Sequence, residues 1–157
     1  MTRRHLMVLA GLGSLGLLVG AWVFQSLGYY PCKLCLWQRW PHSAAALMGA
    51  VAIVAPVAPV AIAGAFAAAT TGAIGVYHAG VERDWWEGPA TCTAGDISGL
   101  STEQLMDQIL NAPIVRCDDI AWQLAGISMA GWNAILSFGL AALWLYALRF
   151  NSAGTRP

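Results

Sequence analysis

"VAIVAPVAPVAIAG", residues 51–64, lies in the middle of a stretch, Leu36 to Ala79, that carries one formal charge, Arg39. Without its prolines the stretch reads as one long helix. Pro56 and Pro59 each lack a backbone N–H, fix φ and push the preceding residue away from the α region. "APVAP", residues 55–59, therefore predicts a tight uncharged turn between two apolar helices. Each is close to the ~20 residues that cross a hydrocarbon core of about 30 Å. Two further apolar runs bring the predicted spans to four: 6–27, 36–54, 60–79 and 127–148. The second is the most polar, because Trp40, Pro41 and His42 sit near its start, where a first-turn proline is tolerated. The expected fold is all-α: a four-helix membrane bundle forming a single integral membrane domain over 1–157, with loops at 28–35 and 80–126 on one side.

Composition agrees. Of the 157 residues, 58% are hydrophobic and 10% charged, against about a quarter charged in a soluble domain. Net charge is zero, and all eight acidic residues fall between Glu82 and Asp119. The lipid bilayer is the expected surrounding, and nucleic acid is not an expected partner. Residues 1–21, with Arg3, Arg4 and the small residues Val19-Gly20-Ala21, also resemble a signal peptide. The apolar run continues through Trp22, Val23 and Phe24, which favours a span. Arg3 and Arg4 precede the first span, and Arg149 and Arg156 follow the fourth. By the positive-inside rule both termini are then cytoplasmic and the 80–126 loop is outside.

Four cysteines, Cys32, Cys35, Cys92 and Cys117, fall on the outer side in this topology. In an oxidising compartment they are expected to be paired, and two structural disulfides are one reading. A Cys-x-x-Cys closes a very small loop, the arrangement used where a disulfide is made and broken. "PCKLCLWQRWPH", residues 31–42, also puts the pair where a helix begins. Unpaired N–H groups and the helix dipole there favour a thiolate at Cys35, with Lys33 and Arg39 adding positive charge. Cys35, Arg39 and His42, spaced i, i+4, i+7, share one helix face. Arg39 there can snorkel to the headgroups or act as a partner for Cys35.

Zinc competes for a Cys-x-x-Cys, but Cys92 and Cys117 form no second such pair, so no metal is expected. His42 and His78, near the outer ends of the second and third spans, could ligate a haem, which makes a small b-type cytochrome the alternative. His5 reads as a headgroup contact, and Trp85 and Trp86 as interfacial residues. "STEQLMDQILNAP", residues 101–113, predicts a short amphipathic helix with Ser101 as N-cap, Gln104 completing a capping box and Pro113 past its end. Its stripe of Leu105, Met106, Ile109 and Leu110 needs a surface, either bilayer or other loop residues. Gly16 with Gly20, and Gly72 with Gly75, read as close-packing positions.

The run Pro31-Cys32-Lys33-Leu34-Cys35-Leu36-Trp37-Gln38-Arg39 resembles the Pro-Cys-x-Leu-Cys-x-x-Gln-Arg motif of the bacterial disulfide bond formation protein B family. The four spans, the second outer cysteine pair and "GISMAGWN" (126–133) fit the same pattern over essentially the whole chain. The resemblance implies an inner-membrane protein-dithiol:quinone oxidoreductase that reoxidises a periplasmic thioredoxin-fold, DsbA-like oxidase. Its cofactor would be ubiquinone or menaquinone. In that family Cys92 would form the mixed disulfide with the partner and Cys117 would be its loop mate. Cys32 would exchange with that pair, and Cys35 would face the quinone together with Arg39 and His78.

Overall fold

The computed structural model describes residues 2–93, 101–110 and 115–150. Its regular elements are α1 (Arg3–Ser26), α2 (Lys33–Val54), α3 (Ala58–Val81), the short α4 (Thr102–Leu110), strands β1 (Gln123–Leu124) and β2 (Ile127–Ser128), and α5 (Met129–Ala147). The protein is thus helical apart from one two-residue antiparallel pair.

The start of each helix has a local cause. Thr2 caps α1: its hydroxyl accepts from the His5 amide at 3.3 Å and meets His5 Nδ1 at 2.9 Å. His5 is therefore half of a capping box, not a free headgroup ligand. Cys32 caps α2, which begins earlier than Leu36 and leaves Pro41 inside the helix, beyond the first turn. There the proline cannot bond the Trp37 carbonyl. The break after α2 falls at 55–57, and Pro59 sits in the first turn of α3. Before α5 the chain makes a two-residue hairpin turn, with positive φ at Ala125 (53°) and Gly126 (76°). Ile127 and Ser128 pair with that hairpin, and the Ser128 hydroxyl accepts the Gly131 amide at 3.2 Å to start the helix at Met129.

At α4 the Gln104 amide donates to Ser101 Oγ (3.3 Å) and the Ser101 amide to Gln104 Oε1 (2.9 Å). Met106 and Leu110 are exposed. Pro113, Arg156 and the side chain of Ile109 lie outside the described residues.

Among the described residues, α1, α3 and α5 are long and apolar enough to cross a membrane. Early α2 is the polar exception, with Lys33, Gln38, Arg39 and His42. The four long helices pack as a ring in which α1 and α3 each touch α2 and α5 and barely touch one another. Large apolar side chains such as Leu12, Trp22, Ile53 and Phe66 point outward, as a lipid-facing surface requires. At the end away from Cys32, Met7, Ala10, Ala52, Ala61 and Ala68 surround the fully buried Trp144. Gly64 makes room for that indole, since a Cβ there would lie 2.5 Å from the ring.

Lipid tails are as apolar as leucine, so helix contacts in such a bundle depend on close packing. The closest approach joins α1 to α2 at Gly11 and Gly49, where a Cβ on Gly11 would stand 2.5 Å from the Gly49 Cα. Gly16 and Gly20 were expected at such a contact, but a Cβ on either would meet nothing within 4 Å. They face an open cavity instead. Gly72 and Gly75 do pack closely, against Phe138 and the Ala130–Ala134 backbone. Gly11→Ala should therefore lower the unfolding temperature in detergent by an amount equivalent to about 1–3 kcal/mol of overpacking. Gly16→Ala should leave it unchanged. Equal melting of the two variants would count against the Gly11–Gly49 contact.

Candidate functional site

The N-terminus of α2 forms the floor of the site. Cys32 Sγ accepts the Cys35 amide at 3.3 Å, as a cap sulfur at the first turn of the helix. Cys35 Sγ lies 2.8 Å from Cys32 Sγ, and both thiols are free. The hydrogen bond between them is the main reason the Cys32 thiol is held above its ordinary range, with burial adding to it.

Cys92 and Cys117 form a disulfide with their Cα atoms 5.3 Å apart. The Cys117 amide donates to the Cys92 carbonyl at 2.6 Å. Cys32, Leu34, Val81, Cys92 and Cys117 form one buried cluster, with Cys35 and Val115 packed against it. All four predicted cysteines therefore meet, the Cys92–Cys117 disulfide packed against the Cys32–Cys35 pair. Lys33 anchors the loop by donating to Thr91 Oγ1 at 3.0 Å.

Behind the dithiol runs a buried chain of polar side chains. His78 Nε2 lies 3.5 Å from Cys32 Sγ and His78 Nδ1 3.0 Å from Gln38 Nε2. Asn133 donates to Gln38 Oε1 at 2.7 Å, and Asn133 Oδ1 lies 2.7 Å from His42 Nε2. Thr71 bonds both the Gln38 carbonyl and Asn133, joining α2, α3 and α5.

A cavity of about 410 Å³ opens beside the dithiol, within the usual range for a small-molecule site. Its apolar wall includes Gly16, Leu17, Phe24, Trp132 and Leu136. Cys35, Gln38, Arg39, His42, His78 and Glu82 line its polar end. Arg39 does not reach outward to headgroups. Its Nη1 donates to Gln25 Oε1 on α1 at 2.9 Å, and its buried Nε has no protein partner. Glu82, 3.8 Å from His78 Nε2, has a side chain only 5% exposed. Burial pushes its carboxyl above the ordinary range, against the pull of Ser128 and Arg83. Arg116 and Asp119 line the same cavity from the loop, and Arg116 is forked onto Asp118 at 3.0 and 2.6 Å.

Two other chemistries fit this geometry poorly. Cys32, Cys35 and His78 bring three potential ligand atoms within 4.8 Å of one another. Two thiolates each ~2.3 Å from a tetrahedral zinc would stand well apart, whereas these sulfurs are 2.8 Å apart. That spacing suits sulfur–sulfur exchange. A haem between His42 and His78 would need the space that Gln38 and Asn133 fill, since those two amides bridge the imidazoles.

Two cysteine pairs packed together, at one end of an apolar helical bundle, define a membrane disulfide oxidoreductase. The chain belongs to the DsbB family: the model for disulfide bond formation protein DsbB matches residues 3–147. No curated protein matches, and no solved structure does.

Gln25, Thr71, Glu82 and Ser137 have no role in the sequence reading, and Gln38 and Asn133 enter it only inside motifs. The available signal was chemical: a polar side chain within an apolar helix is costly unless it has a partner there. Glu82 yields a prediction with a definite sign. Its carboxyl holds a proton more tightly when folded, so its stabilising contribution is full below the unfolded value, about 4.3. The contribution is lost as pH rises through the folded value. Glu82→Gln should remove that loss. The melting temperature of the variant relative to wild type should therefore rise between acid and neutral pH, and a constant difference would contradict the burial effect.

Proposed function

We propose that the protein reoxidises a periplasmic, thioredoxin-fold DsbA-like oxidase and passes the electrons to membrane quinone, ubiquinone or menaquinone. The observation that carries this reading is the packing of two cysteine pairs into one buried cluster, with Cys35 opening onto an apolar cavity that has a cation at its polar end. In this reading Cys92 accepts the partner's thiolate and Cys117 leaves. Both are buried, so the partner must first uncover the loop disulfide. The loop dithiol then exchanges with Cys32–Cys35, whose sulfurs lie in the same cluster, once that pair has given its electrons to quinone and closed as a disulfide. One S–S bond breaks as the loop's is remade.

The cavity fits a quinone by its donor set: apolar walls for a ring and tail, and the unpartnered Arg39 Nε for a carbonyl oxygen. When bound, a quinone takes up two electrons and two protons. Arg39, held by Gln25, would stabilise negative charge developing on that oxygen, while Cys35 supplies electrons from the first turn of α2. His78, between Cys32 and the cavity, would border the same site. The reading also makes α2 a fourth span of a single bacterial inner-membrane domain, with 28–35 and 80–126 periplasmic and both termini cytoplasmic.

The test is quinone reduction by purified protein supplied with a reduced thioredoxin-fold partner. Arg39→Ala should slow it by about 10²–10³, the usual cost of one electrostatic stabiliser, and leave single-turnover exchange at Cys92 intact. Arg39→Lys should recover only part, because a point charge lacks the planar fork that can bond Gln25 and an oxyanion together. Full activity in Arg39→Ala would overturn the assignment. Orientation is tested separately with an impermeant maleimide on reduced single-cysteine variants in spheroplasts. Labelling that requires opened membranes would refute a periplasmic site.

A further inference from the structure

The polar chain behind the dithiol has a direction, and backbone carbonyls fix it. A carbonyl only accepts. The Gln38 atom 3.1 Å from the Leu34 oxygen is therefore its amide nitrogen. The Asn133 atom 3.3 Å from the Thr71 oxygen is likewise a nitrogen. With both amides so oriented, Asn133 donates to Gln38 Oε1, and Asn133 Oδ1 accepts from His42 and from Ser137 Oγ (3.3 Å). Reversing Gln38 would turn an acceptor toward the Leu34 carbonyl and a donor toward the Asn133 nitrogen, leaving buried groups unsatisfied.

The same Gln38 nitrogen meets His78 Nδ1 at 3.0 Å. Nδ1 must then be a bare acceptor, and the proton of the neutral ring must sit on Nε2. That atom faces Cys32 Sγ at 3.5 Å, with the Cys117 backbone as a further hydrogen-bond partner of the ring. The Cys35 amide is the second donor to the same sulfur.

We propose that Gln38 and Asn133 are positioning residues: they lock His78 as the Nε2–H tautomer, so that it donates to Cys32 and stabilises that sulfur as a thiolate during exchange. This rests on the proposed thiol-exchange chemistry and deepens it by directing the His78 N–H, which also meets the Cys117 backbone, at the Cys32 sulfur. In the step concerned a loop thiol loses its proton to solvent and attacks the loop sulfur joined to Cys32 in an interloop disulfide, so that Cys32 is the departing sulfur. One S–S bond forms and one breaks, and the departing sulfur leaves with the bonding pair and takes up a proton. Net electrons are unchanged. Other charged or titratable groups around the pair are Lys33, Cys35, Arg39 and His42 from α2, Tyr29 and Tyr30 before it, Glu82 at the end of α3, and Arg116 and Asp119 from the loop. All but Cys35 are retained in the variants below.

The experiment uses full-length, quinone-stripped protein in detergent, with no electron acceptor present. Nitrogen-15 NMR of labelled histidine should show His78 protonated on Nε2 and bare on Nδ1. A ring protonated on Nδ1 overturns the proposal without any variant. Next, the pH dependence of Cys32 alkylation is measured in a Cys35→Ser background. Gln38→Glu puts an acceptor at Nδ1 and should move the ring proton there. The alkylation midpoint should then rise by about one pH unit, roughly tenfold slower labelling at neutral pH. His78→Phe should raise it similarly, and adding Gln38→Glu to His78→Phe should change little further. If Gln38→Glu shifts the midpoint equally with and without His78, the new charge acts directly and the lock is refuted. A protein that shows the Nε2–H ring but reduces no quinone retains the lock and loses the acceptor assignment.

Discussion

The start of α2 at Cys32 is the constraint on which the cysteine end of the bundle depends. A sulfur cap there sets the phase of the helix. Lys33 begins the first turn, Cys35 ends it, and Gln38, Arg39 and His42 follow on one inward-facing side. Starting at Leu36 instead would bring Pro41 closer to the helix start but leave Cys35 off the helix. The chain accepts an interior proline, which forfeits a backbone hydrogen bond, and gains a dithiol fixed to the helix amides. The two cysteines are thus geometric partners before any chemistry occurs.

That placement makes the apolar bundle accommodate polar groups, and it does so by linking them. Gln38, Thr71, His78, Asn133 and Ser137 share hydrogen bonds across three helices. A buried polar network is stabilising only when its members are satisfied. Five buried side-chain polar atoms among the described residues have no partner: Ser14 Oγ, Arg39 Nε, His42 Nδ1, Glu82 Oε2 and Trp144 Nε1. Arg39, His42 and Glu82 line the cavity, so part of the unmet bonding capacity lies where a ligand would sit.

Much of this was legible in the chain. Pro56 and Pro59 separate α2 from α3 because proline chemistry is local. The nine residues from Pro31 to Arg39 point to the family because a cap, a thiol pair and a cation lie within three turns. Long-range partners were not legible. Gly16 and Gly20 have the spacing of a close contact, but spacing says only that two residues share a face, not what that face meets. The contact went to Gly11 and Gly49, and the other pair opened the cavity. Gln25 reads as a stray polar residue at a helix end until the fold brings it to Arg39, fourteen positions on. Glu82 was counted with the loop acids, although its side chain turns inward from the end of α3.

The two ends of the bundle divide the work accordingly. At one end, alanines and Gly64 close around Trp144, and dispersion across tight contacts holds the helices together. At the other, glycines without neighbours and a loop pinned by its own disulfide leave about 410 Å³ unfilled. Filling that space with larger side chains would add helix contacts and remove the room beside Cys35. Close packing at the Trp144 end therefore complements the open space at the cysteine end: the packed half fixes the directions of α2 and α3, and those directions hold Cys32, Cys35 and His78 in register beside the cavity.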